Sequence, residues 1–161
     1  MICAFTGHRP YKLPWRTDET DPRCVAVKEM IARRLREAYA LGCREFLCGM
    51  AQGCDMYFAE AVLELREQYP EIRLTAMLPC PNQADPWPAA DRERYEQLCG
   101  RCDRQVCVSE IYSRDCMQLR NRVMVEQAQV LISVYDGSAS GTGSTVRYAR
   151  QLGLQLLPVW V

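Results

Sequence analysis

The amino-acid sequence predicts an α/β domain, a Rossmann-like three-layer fold with a mostly parallel sheet and helices on both faces. Three observations carry this expectation. Short, nearly continuous apolar runs alternate with longer segments of helical period along the chain, the pattern of strands buried on both faces and joined by crossover helices. The glycine-rich and otherwise unusual residues cluster just after the apolar runs, where open parallel sheets bind their ligands. No internal repeat, low-complexity tract or linker interrupts the pattern in 161 residues, so a single domain over 1–161 is expected.

Taken in order, the first apolar run is Ile2 to Thr6, followed by Gly7, His8, Arg9 and Pro10. Val27, Ile31, Leu35 and Ala38 then recur at helix spacing and define one inward face. The second run, Glu45 to Cys48, leads through GMAQGCD into a helix marked by Phe58, Val62, Leu65 and Tyr69. After the third run, Arg73 to Leu78, comes the proline-rich stretch LPCPNQADPWPAADRERY. It reads either as a stiff connection ending in Pro88 as a first helical residue, or as a lid over a site. A fourth run, Gln105 to Ser109, precedes a helix whose apolar face is expected at Met117, Asn121, Met124 and Ala128. The fifth run, Val130 to Tyr135, opens into YDGSASGTGSTVRYA and a last helix. Pro158 lies in the final run, Gln155 to Val161; having no amide hydrogen, it assigns that run to a sheet edge or a strand end.

Charge and cysteine content exclude several classes. Twenty basic and twenty acidic residues leave a formal net charge of zero, which argues against a broad nucleic-acid surface while leaving room for a local basic pocket. No run approaches membrane-spanning length, and MICAFTGHRP lacks a basic n-region and a signal-length apolar core; a cytoplasmic protein is expected. The ten cysteines are then mostly reduced thiols used as small apolar residues, with Cys3, Cys43, Cys48, Cys80 and Cys107 in or beside apolar runs. Cys99 and Cys102 have the spacing of a zinc half-site or a redox pair, but no second pair completes it, and no metal site is expected. Arg33, Arg34 and Arg36 read as a solvated helix face.

The strand-end rule selects residues 6–10, 49–55, 79–81, 109–110 and 136–145 as the places where chemistry could sit. Gly141 and Gly143 can bring backbone amides close to an anion, Thr142, Ser144 and Thr145 add hydroxyls, and the following helix presents its positive end. The same residues also suit an ordinary N-cap. No lysine follows the glycines and no G-x-G-x-x-G follows the first run, so Walker-type nucleotidase and dinucleotide fingerprints are absent. Gly49 and Gly53 flank a tight turn, and Asp55 falls in the first helical turn, as a helix-start carboxylate or a contact to ligand hydroxyls. His8 is the sole histidine and lies with Thr6, Gly7 and Arg9 at a strand end; a site role is favoured for His8 and Arg9, the latter as a planar anion fork. Asn121, on the expected apolar face, must find partners for its amide.

Together, AFTGHRP, GMAQGCD, LPCPNQ…W, CMQLRNRVMV and VYDGSASGTGSTVRYA resemble the YpsA-like branch of the SLOG superfamily, which also holds the Smf/DprA proteins and the LOG-type phosphoribohydrolases. The resemblance implies a Rossmann-like fold with a site for a nucleotide or nucleotide-derived ligand and no required cofactor. It implies a phosphate loop at Gly141, Thr142, Gly143, Ser144 and Thr145, a first glycine motif at Gly49, Gly53 and Asp55, and a helix arginine at Arg120. The LOG motif P-G-G-x-G-T-x-x-E is kept only in part: its acidic positions fall on Val146 and Arg147, and Tyr135-Asp136 stand where its proline would be. A glycosidic hydrolase needs a carboxylate by the ribose, for which Asp136, Asp55 and Glu110 remain, with His8 as a proton carrier. Binding is therefore expected ahead of phosphoribohydrolase activity, and a scaffold without ligand comes third. A homodimer is implied only by analogy with SLOG relatives.

Overall fold

The structure, a computed structural model, describes residues 1–161. Six strands, β1 (Ile2–Gly7), β2 (Glu45–Cys48), β3 (Arg73–Leu78), β4 (Arg104–Cys107), β5 (Val130–Tyr135) and β6 (Gln155–Trp160), form one sheet in the order β4-β3-β2-β1-β5-β6. Every pairing is parallel, so the sheet is wholly rather than mostly parallel. Five α-helices connect the strands: α1 (Pro22–Leu41), α2 (Cys54–Gln68), α3 (Ala89–Arg101), α4 (Cys116–Gln127) and α5 (Gly141–Gln151).

The chain steps outward from β1 to β2, β3 and β4, then crosses back to lay β5 on the other side of β1 and adds β6. Parallel crossovers are right-handed, so steps in opposite directions put their helices on opposite faces. The packing follows this rule. Buried residues of α1, α2 and α3 share a large core with Phe5, Phe46, Ile132 and Val134, while α4 and α5 pack a smaller one on Ala4, Leu47, Met77 and Leu131. Successive residues of β1, β2 and β5 thus alternate between the two cores, as the two-residue period of a strand requires.

Local signals set the element ends. Asp21 caps α1 by accepting from the Arg23 amide at 2.8 Å, Pro22 occupies its first turn, and Gly42 ends it in the left-handed region at φ 113°. Pro88 is the N-cap residue of α3, one position earlier than its expected place inside the helix. β6 is an edge strand; Pro158, opposite Ser133, still offers its carbonyl, which accepts from Arg34 Nε at 3.1 Å. No helix is long and apolar enough to cross a membrane.

Candidate functional site at the reversal of strand order

The direction of the chain reverses between β1 and β5, whose carboxyl ends lie side by side with Gly7 opposite Val134. That is where a crevice opens in a sheet of this kind. A cleft of about 180 Å³ lies there, lined from β1 and its exit by Thr6, Gly7, His8, Arg9, Tyr11 and Lys12, from the α2 entry by Ala51 and Asp55, from α4 by Arg120 and Asn121, and from α5 by Gly141 and Thr142.

His8, 2% exposed, ties the ends of β1 and β5 together. Its amide donates to Val134 O and its carbonyl accepts from the Cys54 amide. Its Nε2 lies 3.1 Å from both the Asp136 amide nitrogen and Asp136 Oδ1. A neutral ring with its proton on Nδ1 accepts from that amide; a protonated ring donates to the carboxylate instead. Asp136 Oδ1 also accepts from the Ser138 amide at 2.9 Å and the Ser138 hydroxyl at 2.5 Å. The Ser138 contacts, followed by His8, hold this carboxyl far below the usual aspartate range. Asp136 therefore shapes the loop behind His8 and does not line the cleft.

At the start of α5, Ser140 Oγ accepts from the Gly143 amide at 3.0 Å, and Ser140 O accepts from the Ser144 amide. A Cβ on Gly143 would meet Ser138 O at 2.9 Å, so the cap requires glycine there. The Gly141 and Thr142 amides are left without protein acceptors. A Cβ on Gly141 would meet no atom within 4 Å; packing does not demand a bare backbone at that position. The Thr145 hydroxyl donates to Gly141 O, while Ser144 and Thr145 border an adjoining groove of about 420 Å³ between α4 and α5. Of the expected phosphate loop, then, two amides face the cleft and the rest build the cap or the neighbouring groove.

Arg120 forms the cleft floor and is 3% exposed. Its Nη1 donates to Gly49 O at 2.6 Å and Met77 O at 3.2 Å, and its Nε donates to Asn121 Oδ1 at 2.8 Å. Nη2 has only the Met117 sulfur, at 3.8 Å, so one side of the guanidinium keeps donors to offer. No carboxylate pairs with it directly, and burial pulls its pKa down. The buried face of α4 is thus made by Cys116, Arg120, Met124 and Val125, with Ala128 just past its end, and is not centred on Asn121. Asn121 is half-buried and orients the arginine.

Gly49 and Gly53 stand behind the cleft. A Cβ on Gly49 would lie 2.5 Å from Arg120 Cζ; one on Gly53, at φ 84°, would meet His8 O and Pro10 Cδ at 2.9 Å. Both glycines let distant segments close on one another. Between them Met50 adopts a left-handed φ of 57°, and Asp55 Oδ2 accepts from the Ala51 amide at 3.0 Å. Asp55 is 6% exposed; its other oxygen has no donor, and burial raises its pKa against the pull of Arg120, the Ala51 amide and Arg9. It is the single carboxylate lining the cleft.

The proline-rich segment does not cover the site. Gln83 Nε2 donates to Gly49 O and Met50 O, and Trp87 packs edge-on against Tyr95, 5.4 Å between centroids. It is the stiff connection, fastened to the 49–55 turn, and the lid expectation is withdrawn. Glu110 and residues 79–81 also lie off the cleft. Cys99 and Cys102 are unlinked thiols pushed upward in pKa, Cys102 to about 12, chiefly by burial. No group of three or more His, Cys, Asp or Glu residues could hold a metal ion. Phe5, Tyr11, Lys12, Met117 and Gln118 are cleft residues that pattern reasoning missed; Tyr11 and Lys12 were in reach, since they follow Thr6 to Pro10 at the same strand end.

The SLOG expectation meets its counterpart among known proteins. UPF0398 proteins of Bacillus anthracis (strain A0248) and Bacillus velezensis are each 27% identical, over 145 and 143 residues, covering 88% of this chain and 77% and 78% of theirs. Among solved structures, DNA processing protein A of Helicobacter pylori, described for its single-stranded DNA binding mode, superposes with TM-score 0.63 at 18% identity over 97% of the chain. DprA of Streptococcus pneumoniae does so with TM-score 0.61 at 14% identity over 96%. The chain spans 63% and 49% of those two proteins, and the likeness is one of fold. A family pattern matches residues 3–152, from the first residues of β1 to the end of α5, and on that match the chain belongs to the YspA SLOG family.

Proposed function

We propose that the protein binds a nucleotide or nucleotide-derived phosphate ligand, with the phosphate at the α5 N-terminus. One observation carries the reading: three cations without a carboxylate in direct contact, Arg9, Lys12 and the buried Arg120, share a cleft with the unpaired amides of Gly141 and Thr142. Amides at a helix start and an arginine fork both match a phosphate. Asp55 Oδ1 would accept from a ribose hydroxyl.

Two further readings have their own support. Hydrolysis of an N-glycosidic bond rests on Asp55, whose raised pKa suits proton transfer; Val146 is in the core and Arg147 hydrogen-bonds Ser144, so the LOG acidic positions supply nothing. A single-stranded nucleic-acid end rests on the fold shared with a DNA-binding protein and on the local cations, and the zero net charge does not remove it.

Thermal denaturation with AMP, inorganic phosphate and a short oligonucleotide separates these readings, since a ligand of the folded state raises the melting temperature. AMP is expected to stabilise the wild type and to lose its effect in Arg9→Ala and Gly141→Asp. The second variant places a carboxylate where the helix dipole favours it, so stability is kept while the anion is repelled. No shift with any anion, or shifts that both variants leave intact, would end the proposal. Adenine release from AMP that disappears in Asp55→Asn would move it to the hydrolase.

A further inference from the structure

Tyr11 is 64% exposed on the rim of the cleft, between Arg9 and Lys12. Its ring has no aromatic partner, carries no stacked cation, and its hydroxyl makes no hydrogen bond. The backbone beneath it is held firmly. Pro10 fixes one torsion, the Lys12 and Leu13 amides donate to Arg9 O and Pro10 O at 3.0 Å, and the Arg16 guanidinium donates to the carbonyl of Tyr11 itself. Leu13 and Trp15 then bury the turn, with the Trp15 ring nitrogen 3.2 Å from the Tyr57 hydroxyl.

A rigid turn that displays an unpartnered aromatic face beside an anion site is a stacking platform, because little ordering opposes the contact. The other aromatics near the site are committed: Phe5 is buried and stacked on Phe58 at 4.3 Å, Tyr135 is buried between His8 and Trp160, and Tyr148, in the α4–α5 groove, is covered by Arg122 at 4.9 Å and donates to Glu126. We infer that Tyr11 stacks on the base of the bound nucleotide, so that the cleft selects ligands joining a flat ring to a phosphate over plain sugar phosphates. This inference rests on the anion site proposed above and assigns the opposite end of the same ligand.

Calorimetric titration with AMP and with ribose 5-phosphate tests it in the wild type, Tyr11→Ala, Tyr11→Phe and Tyr148→Ala. Tyr11→Ala should weaken AMP about tenfold while leaving ribose 5-phosphate within about twofold, and Tyr11→Phe should bind AMP as the wild type does. Equal losses for both ligands in Tyr11→Ala, or a loss of AMP affinity in Tyr148→Ala instead, would overturn it, the latter by moving the base to the groove. Equal wild-type affinity for the two ligands would sink the stacking role and leave the phosphate site standing. Failure of both to bind would remove the phosphate site, and the platform with it.

Discussion

Asp55 and Arg120 show how single side chains acquire their chemistry from burial. Each is almost fully enclosed, and for each the loss of water outweighs attraction to the other: the carboxyl pKa rises and the guanidinium pKa falls. The sign for Asp55 follows. Its folded-state pKa lies above the ordinary 3.8, so its contribution to stability is complete below that value and is lost as pH rises through the folded one. Asp136 runs the opposite way, contributing above the ordinary value and losing that contribution as pH falls toward its depressed one. An ionised Asp55 also repels a phosphate in the same cleft. AMP affinity should therefore fall as pH rises through the raised Asp55 pKa, and Asp55→Asn should remove that fall; titrations at a series of pH values read this directly. Ionisation of the phosphate itself has the opposite sign, strengthening binding to the cations as pH rises, so a profile unchanged in the variant would remove Asp55 from the pH dependence.

At the scale of elements, the start of α5 does two jobs with five residues. Ser140 closes the first turn on the Gly143 amide, and this leaves the Gly141 and Thr142 amides, rather than the whole glycine-rich stretch, for a ligand. Ser140→Ala should destabilise the protein by about 1 kcal/mol, which for a chain of this length lowers the melting temperature by roughly 2–4 °C, with Ser140→Thr near wild type; differential scanning calorimetry decides it. The 78–95 connection teaches a different lesson. Proline content and length fit a lid as well as a brace, and the choice was made by Gln83, whose amide reaches two carbonyls of the 49–55 turn. Its Oε1 is buried without a donor, a cost borne by the fastening.

Across the whole molecule, two unequal cores flank one sheet, and Cys3, Cys24, Cys43, Cys48, Cys54 and Cys99 serve as small apolar residues of the larger one. Eight of the ten are buried, Cys102 is half-buried and Cys107 is exposed on β4. A thiol reagent acting on the native protein should therefore label Cys107 first and Cys102 more slowly, with the other eight reacting only on unfolding; intact mass before and after denaturant counts the adducts. Prompt native labelling of more than two thiols would contradict the packing described. The layers, the strands to within a residue or two of each limit, the edge position of Pro158 and the segments that gather at the carboxyl end of the sheet were legible without coordinates, because period, punctuation and strand-end topology are local or nearly so. The cleft's actual membership was not. Whether a glycine serves a ligand or a neighbour, whether an amide is capped, and whether Arg120 or Asn121 takes the buried place on α4 depend on segments remote in the chain. The Arg120–Gly49 contact spans 71 residues. Local pattern brought the candidate segments to the carboxyl end of the sheet; tertiary packing chose which of their groups line the cleft and keep a free donor or acceptor there, since a group already bonded to its own protein has none left for a ligand.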